Sequence, residues 1–187
     1  MAVQEMPRLS NHEATLQMSV DEFMAWDVEC HAEWKDGEVI IFMPAKGPHQ
    51  AVLNFLNYLL ISFVSMFDLG VIRLAPFAMR AQSDGPAREP DLLFVAREHQ
   101  ERLTDALLEG PADLIVELIS DESVRRDRQE KFHEYREAGI REYWIIDPCA
   151  GRHRADFYRL DEQGQYELFA TEDEEKVASA VLLSISL

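Results

Sequence analysis

Cysteine is nearly missing from this chain, and so is any long apolar run. Only Cys30 and Cys149 occur, far apart and in no CxxC or Cys/His cluster, which argues against a disulfide framework and against a zinc site. Two ordinary thiols are expected. No apolar stretch approaches the ~20 residues that span a bilayer, and the start "MAVQEMPRLSNHEATLQ" lacks the basic-then-apolar order of a signal peptide. A cytoplasmic protein is the expectation. Gly-rich phosphate loops, GxSxG, HExxH and EF-hand spacing are absent as well, which removes several enzyme classes.

Cations are the other shortage. Lys and Arg total 18 against 35 Asp and Glu, for a formal net charge of −17, whereas nucleic-acid binders usually carry a basic footprint that neutralises phosphates. The distribution matters more than the sum. From Asp161 to Glu175 there are seven acidic residues and no basic one, which reads as a solvated surface. Between Asp121 and Arg141 acids and bases balance, so a polyanion would approach there.

What is present suits one well-buried domain over 1–187, with 1–18 as a loose N-terminal arm: 187 residues, 47% apolar and 28% charged. "SVDE" at Ser19 to Glu22 fits a capping box opening a short helix. Asp36-Gly37 is a hairpin turn between two strand-like arms, with Glu33 on the first. From His49 to about Phe67, Val52, Leu53, Leu56, Leu59, Leu60, Phe63 and Val64 recur at helical spacing. Strand-like pieces follow at "VIRLA", "FAMRAQ" and Glu89 to Val95, and Asp105 to Gly110 reads as a short polar or helical connection. Asp113 to Ser120, a helix ending at Ala138 with Gly139 beyond it, and "REYWIID" form a βαβ unit. "RADFYRL" and "QYELFA" form a hairpin, and "VASAVLLSISL" supplies a last strand.

The stretch "DLIVELIS" carries the anomaly. Alternation places Leu114, Val116 and Leu118 on one face and Ile115, Glu117 and Ile119 on the other, so both faces are apolar except at Glu117. In a central strand a buried carboxylate needs a partner, a proton or a metal; on an edge strand Glu117 would simply meet solvent. In the helix that follows, Val124, Arg128, Lys131, Tyr135 and Ala138 form one stripe, which turns Lys131 toward the sheet or its margin. A lysine there either snorkels out or serves chemistry. If the Asp91 and Glu117 strands are neighbours, ~4.8 Å apart, both carboxylates reach one divalent cation. A nearby ammonium would then orient or deprotonate a water and stabilise charge building on a phosphate.

"EPD" at Glu89 to Asp91 and "VELIS" at Val116 to Ser120 resemble the PD-(D/E)XK nuclease superfamily. The order "EWKDGEVI...H...PDLLFV...DLIVELIS...RRDRQEKFHEYREAGIREYWIIDP" resembles, more specifically, the bacterial Uma-type family of restriction endonucleases, over roughly Ser19 to Pro148. The resemblance implies an α/β restriction-endonuclease-like fold, a mixed central β-sheet flanked by helices. It implies a DNA endonuclease with Mg²⁺ or Mn²⁺ at Asp91 and Glu117, and Lys131 assisting the attacking water. The superfamily's lysine position is Ile119 here, and Lys131 on the next helix takes its place. Glu33 matches the glutamate of the family's E-x-x-D-G hairpin and joins the metal or water network unless it is simply exposed. His49 matches a histidine opening the long helix, where a structural role is expected. Tyr135 is expected to pack or to support the site from behind, and Ser120 and Asp121 to act as caps or loop formers. A homodimer follows by analogy, because duplex cleavage needs two sites. The competing expectation, motivated by Ile119 and the acidic balance, is a non-catalytic interaction protein of the same fold that binds a protein partner or nucleic acid.

Overall fold

The computed structural model describes residues 13–26, 31–42, 47–120, 123–148, 154–171 and 179–182. Cys30, Cys149, Asp121 and most of the acidic run after Thr171 lie outside them, as does most of the expected last strand.

Three strands form a small antiparallel sheet: β1 (Glu13–Gln17), β2 (Ala32–Lys35) and β3 (Glu38–Phe42), in the order β1-β3-β2. The Asp36-Gly37 turn joins β2 to β3 with φ of 52° and 86°, positive at both centres as a two-residue hairpin requires. β1 falls within the stretch expected to be a loose arm; it is instead paired along its length with β3. After β1 comes α1 (Val20–Met24), opened by the capping box: the Glu22 amide donates to Ser19 Oγ at 3.3 Å, and the Ser19 amide donates to Glu22 Oε2 at 2.8 Å.

The main sheet has six strands. They are β4 (Gly70–Leu74), β6 (Leu92–Ala96), β8 (Leu114–Leu118), β9 (Glu142–Asp147), β10 (Arg154–Leu160) and β11 (Tyr166–Thr171), in the order β11-β10-β9-β8-β6-β4. Only β8 and β9 are parallel, because only they are joined by a helical crossover; every other neighbour pair is antiparallel. The βαβ unit therefore sits where the sequence pattern places it. β5 (Ala78–Arg80) does not continue the meander. It pairs in parallel with β7 (Leu107–Glu109), so the middle of the Asp105 to Gly110 segment is a strand rather than a polar or helical connection. Ser179 to Leu182, expected within a final strand, form a turn whose Val181 and Leu182 side chains enter the core.

Each face of the main sheet is covered by a helix, long on one side and short on the other. α2 (Gly47–Met66) presses Leu53, Leu60 and Val64 onto Leu92, Phe94, Leu114, Val116 and Leu118. On the other face, Tyr135 of α3 (Lys131–Glu137) packs with Leu93, Val95, Ile115, Ile119, Tyr143 and Ile145. β8 is thus buried on both faces, and all five of its residues are buried. α3 ends as its sequence suggests. Gly139 has φ of 78°, the Ile140 amide donates to the Tyr135 carbonyl and the Gly139 amide to the Arg136 carbonyl, both at 3.0 Å, which is a Schellman closure.

One turn before α3 the helix widens. Residues Arg126–Glu130 form a π-turn, with the Lys131 amide donating to the Arg126 carbonyl. The extra residue moves the inward stripe: Asp127, Lys131 and Tyr135 are buried, while Arg128 is only half-buried and reaches Asp156 instead.

Candidate active site

Glu117 is next to the last residue of β8, which lies between β6 and β9, and is 4% exposed, so the edge-strand alternative does not hold. Its Oε1 accepts hydrogen bonds from Lys131 Nζ at 2.8 Å and from Tyr135 Oη at 3.0 Å. Tyr135, expected to pack or to support from behind, does both. Burial pushes the Glu117 carboxyl upward; Lys131 opposes the shift, and Asp127, Asp91 and Glu33 add to it.

Lys131 is the hub. Besides Glu117, its ammonium pairs with Glu33 at 2.7 Å and with Asp127 at 3.5 Å. Burial alone would depress its pKa, but Glu117, Glu33 and Asp127 outweigh burial and raise it, so the group stays an ammonium rather than a free base. It does not snorkel. The side chain ends among carboxylates beneath the small sheet.

Glu33 is buried, not an exposed hairpin residue. Two backbone bonds between Trp34 and Ala87, both 2.9 Å, clip β2 beside the 87–91 segment and bring Arg88 against it. Arg88 Nη1 donates to Glu33 Oε2 at 2.9 Å, and its other nitrogens grip Glu134 at 2.8 to 3.0 Å. Lys35 pairs with Glu134 as well. Burial would raise the Glu33 carboxyl, but Lys131 and Arg88 overcome it and hold the group well below the usual carboxylate range.

Asp91 lies one step beyond Leu92↔Val116, the last registered pair of β6 with β8, and so beside Glu117. Its Oδ2 accepts from the Leu118 amide at 2.8 Å and lies 3.3 Å from His49 Nε2 at the start of α2. His49 is therefore part of the constellation. Burial works to lower its pKa, but the Asp91 carboxylate and the Leu118 carbonyl prevail and raise it. On the far side of Arg88, Glu89 accepts from the Ala32 amide at 2.9 Å, and burial lifts its carboxyl to about 7.

The structure thus brings Glu33, Asp91, Glu117 and Lys131 into one buried cluster, together with His49 and Tyr135. Sequence reasoning missed Arg88, Asp127 and Glu134. Ser120 behaves as a loop former: its amide donates to Ser123 Oγ at 2.9 Å and its Oγ accepts from the Ser123 amide at 3.3 Å. Ile119 is buried core on the same sheet face as Glu117, so the ammonium comes down from the helix onto the face a lysine at 119 would have occupied. The basic residues expected to meet a polyanion are largely engaged: Arg125 pairs with Glu130 at 2.7 Å, Arg128 with Asp156, and Arg126 stacks 4.5 Å over the Phe42 ring. Among the described residues no three His, Cys, Asp or Glu side chains gather as a ready-made metal cage. Carboxylates nonetheless outnumber cations here, with Glu33, Asp91, Glu117, Asp127 and Glu134 around Lys131, Arg88 and Lys35.

A central, mostly antiparallel sheet with one parallel βαβ pair and helices on both faces is a restriction-endonuclease-like fold. Within it, the chain belongs to the Uma2 family: the family model, described as "Putative restriction endonuclease", matches residues 20–187. A crystal structure described as "a putative nuclease belonging to DUF820 from Anabaena variabilis ATCC 29413" superposes with a TM-score of 0.70 at 18% identity, covering 91% of this chain and 94% of that one. At that identity the likeness speaks to the fold. No curated protein matches the chain. Among the described residues, no helix is long and apolar enough to cross a membrane.

Proposed function

We propose that this protein is a metal-dependent endonuclease that hydrolyses phosphodiester bonds in DNA, with Asp91 and Glu117 holding Mg²⁺ or Mn²⁺ and Lys131 assisting the attacking water. The observation that carries the reading is the buried excess of carboxylates over cations, five carboxylates around Lys131, Arg88 and Lys35, where two neighbouring strands set Asp91 beside Glu117. That excess is relieved by a proton on Glu117, whose carboxyl burial lifts to about 8, or by a further cation that displaces it.

The residues fit such an ion. Each carboxylate spends one oxygen on the protein: Asp91 Oδ2 on the Leu118 amide, and Glu117 Oε1 on Lys131 and Tyr135. Asp91 Oδ1 and Glu117 Oε2 have no hydrogen bond among the described residues. Two carboxylate oxygens with waters and a substrate phosphate suit Mg²⁺, which rarely takes an all-protein cage. A bound divalent ion supplies Lewis-acid polarisation of the phosphate and a more acidic water.

The chain's own groups divide the remaining work. Lys131, permanently charged, orients the water and stabilises negative charge developing on the phosphoryl oxygens. Glu33 and Asp127 fix that ammonium in place, and Arg88 fixes Glu33, so these three are positioning residues. Tyr135 sets the Glu117 rotamer. His49 steadies Asp91 from the helix side. Cutting a duplex needs two such sites, which is the basis for a homodimer.

The test is incubation of purified protein with supercoiled plasmid. Nicking or linearisation is expected with Mg²⁺ or Mn²⁺, and Asp91→Ala, Lys131→Ala or EDTA should each abolish it. Cleavage that survives a substitution, or ignores EDTA, would contradict the assignment. Absence of both cleavage and Mn²⁺ binding would favour the non-catalytic interaction protein instead.

A further inference from the structure

α2 is at odds with the rest of the chain. In a protein of net charge −17, the residues from Gly47 to Met66 include no Asp, Glu, Lys or Arg. Its inner face is the core side, through Leu53, Leu60 and Val64. Its outer face should then be polar, as on any helix that covers a sheet from the solvent side. Instead it presents Phe55 at 62% exposure, Tyr58 at 70% and Met66 at 76%, with Leu59 nearly half exposed between them. These four recur at helical spacing and fall on one stripe opposite the buried one, and Ile61 flanks it, also about half exposed.

We infer that this outer stripe of α2 is the surface on which two copies of the chain associate, as an isologous pair with the two α2 helices packed against each other. The inference rests on the homodimer of the proposed function and names its interface, which nothing in the nuclease cluster determines.

Two quantities support a second copy as the occupant. The first is area. With roughly 200 Å² for a large side chain, the stripe and its flank offer on the order of 600 Å² per copy. Two copies would bury about 1,200 Å², the lower bound of stable specific interfaces, and a single exposed apolar patch of that size is at the limit of what monomers show. The second is charge. Two chains that each carry −17 repel over most of their surfaces, and the α2 stripe is a face where copies meet without opposing like charges. A lipid surface is disfavoured by the same count, because interfacial helices flank their apolar face with Lys and Arg, and α2 has none. A nucleic acid would find no cation on it. A two-fold axis requires a surface complementary to itself, and an uncharged apolar stripe meets that condition.

The geometry links this surface to the cluster. His49, at the N-terminal end of α2, contacts Asp91, so pairing the helices antiparallel would place one cluster at each end of the joint, separated by roughly one helix length of about 30 Å.

The test is sedimentation velocity of the full chain at about 10 µM, with one chain weighing 21.5 kDa. Wild type should sediment as a dimer, and so should Leu168→Glu, which places the same charge on an exposed apolar residue of β11. Tyr58→Glu and Met66→Glu should each run as monomers that keep the wild-type circular dichroism spectrum, because both positions are outside the core. Should a glutamate destabilise the fold, Tyr58→Ser combined with Met66→Ser makes the same comparison. Three results would overturn the inference: a monomeric wild type, a dimer that persists in the α2 variants, or a monomer that co-sediments with phosphatidylcholine vesicles. Failure of DNA cleavage leaves the dimer prediction standing, and a monomer that cuts DNA removes the dimer while leaving the cluster's assignment intact.

Discussion

The two faces of the main sheet are built from the same strands to opposite rules. Toward α2, Leu114, Val116 and Leu118 of β8 meet Leu53, Leu60 and Val64 in an apolar patch, with the His49–Asp91 pair at the start of the helix. Toward α3, the alternate residues Ile115, Glu117 and Ile119 meet Tyr135, Asp127 and Lys131. One face is close-packed and non-directional, so its energy scales with area. The other spends stability on buried ions whose desolvation is only partly returned by pairing. A strand buried on both sides allows this separation, since a change on one face leaves the other's register untouched.

The sharpest way to break the contrast is to remove the ammonium. Lys131→Met keeps the volume of the side chain but strands Glu33, Glu117 and Asp127 together. DNA cleavage should fall by on the order of a thousandfold or more, and denaturant unfolding should show a loss of about 3–5 kcal/mol. Leu114→Ala on the apolar face should cost a similar ~2–5 kcal/mol, while cleavage per folded molecule stays at the wild-type rate. The paired experiment therefore separates two variants of comparable stability by their activity alone.

A smaller effect is expected from Tyr135→Phe, which deletes only the hydroxyl donor to Glu117. Unfolding should lose about 1–2 kcal/mol, with a drop in kcat greater than any rise in KM if Glu117 holds the metal as proposed, because the hydroxyl orients Glu117 rather than binding substrate.

A further effect, on stability alone, concerns pH. Glu89 is held up at about 7 in the folded protein, chiefly by burial. A carboxyl raised in the folded state contributes stability that is whole below its ordinary unfolded value and is lost as pH rises through about 7. Glu89→Gln should cancel that part. The difference in thermal midpoint between wild type and variant should shift in the variant's favour from pH 5 to pH 8, by the equivalent of at most about 3 kcal/mol. A difference independent of pH would show that the carboxyl is not strained by burial.

How far the sequence shows these two faces depends on the range of the interactions. Glu117 stands out because a period of two makes one charged residue visible among Ile115 and Ile119. Lys131 is legible from helical spacing, since one turn from Tyr135 is a local relation. Asp127 and Arg128, four and three residues before Lys131, both fall within the same face by spacing, and the π-turn at Arg126–Glu130 decides for Asp127. Arg88 and Glu134 are invisible for a different reason. They meet Glu33 and Lys35 across β2 and α3, and nothing local distinguishes these charges from others in a chain with 28% charged residues. For the same reason Glu33 could be read as exposed, because its partner comes from a distant segment. In the fold, the βαβ unit follows from pattern and caps, whereas β7 is three residues long and draws its order from a parallel partner far earlier in the chain. β1 likewise becomes a strand through β3, not through its own alternation. Short strands are decided by what they pair with.

Calorimetric titration of the metal-free protein with Mn²⁺ tests the central claim most directly, that the ionic face is built to hold a divalent ion between Asp91 and Glu117. Saturable binding is predicted for wild type and for Leu114→Ala, and strongly weakened binding for Glu117→Gln and Asp91→Ala. A wild type that takes up no Mn²⁺, or a Glu117→Gln protein that binds it as well as wild type, would contradict the account.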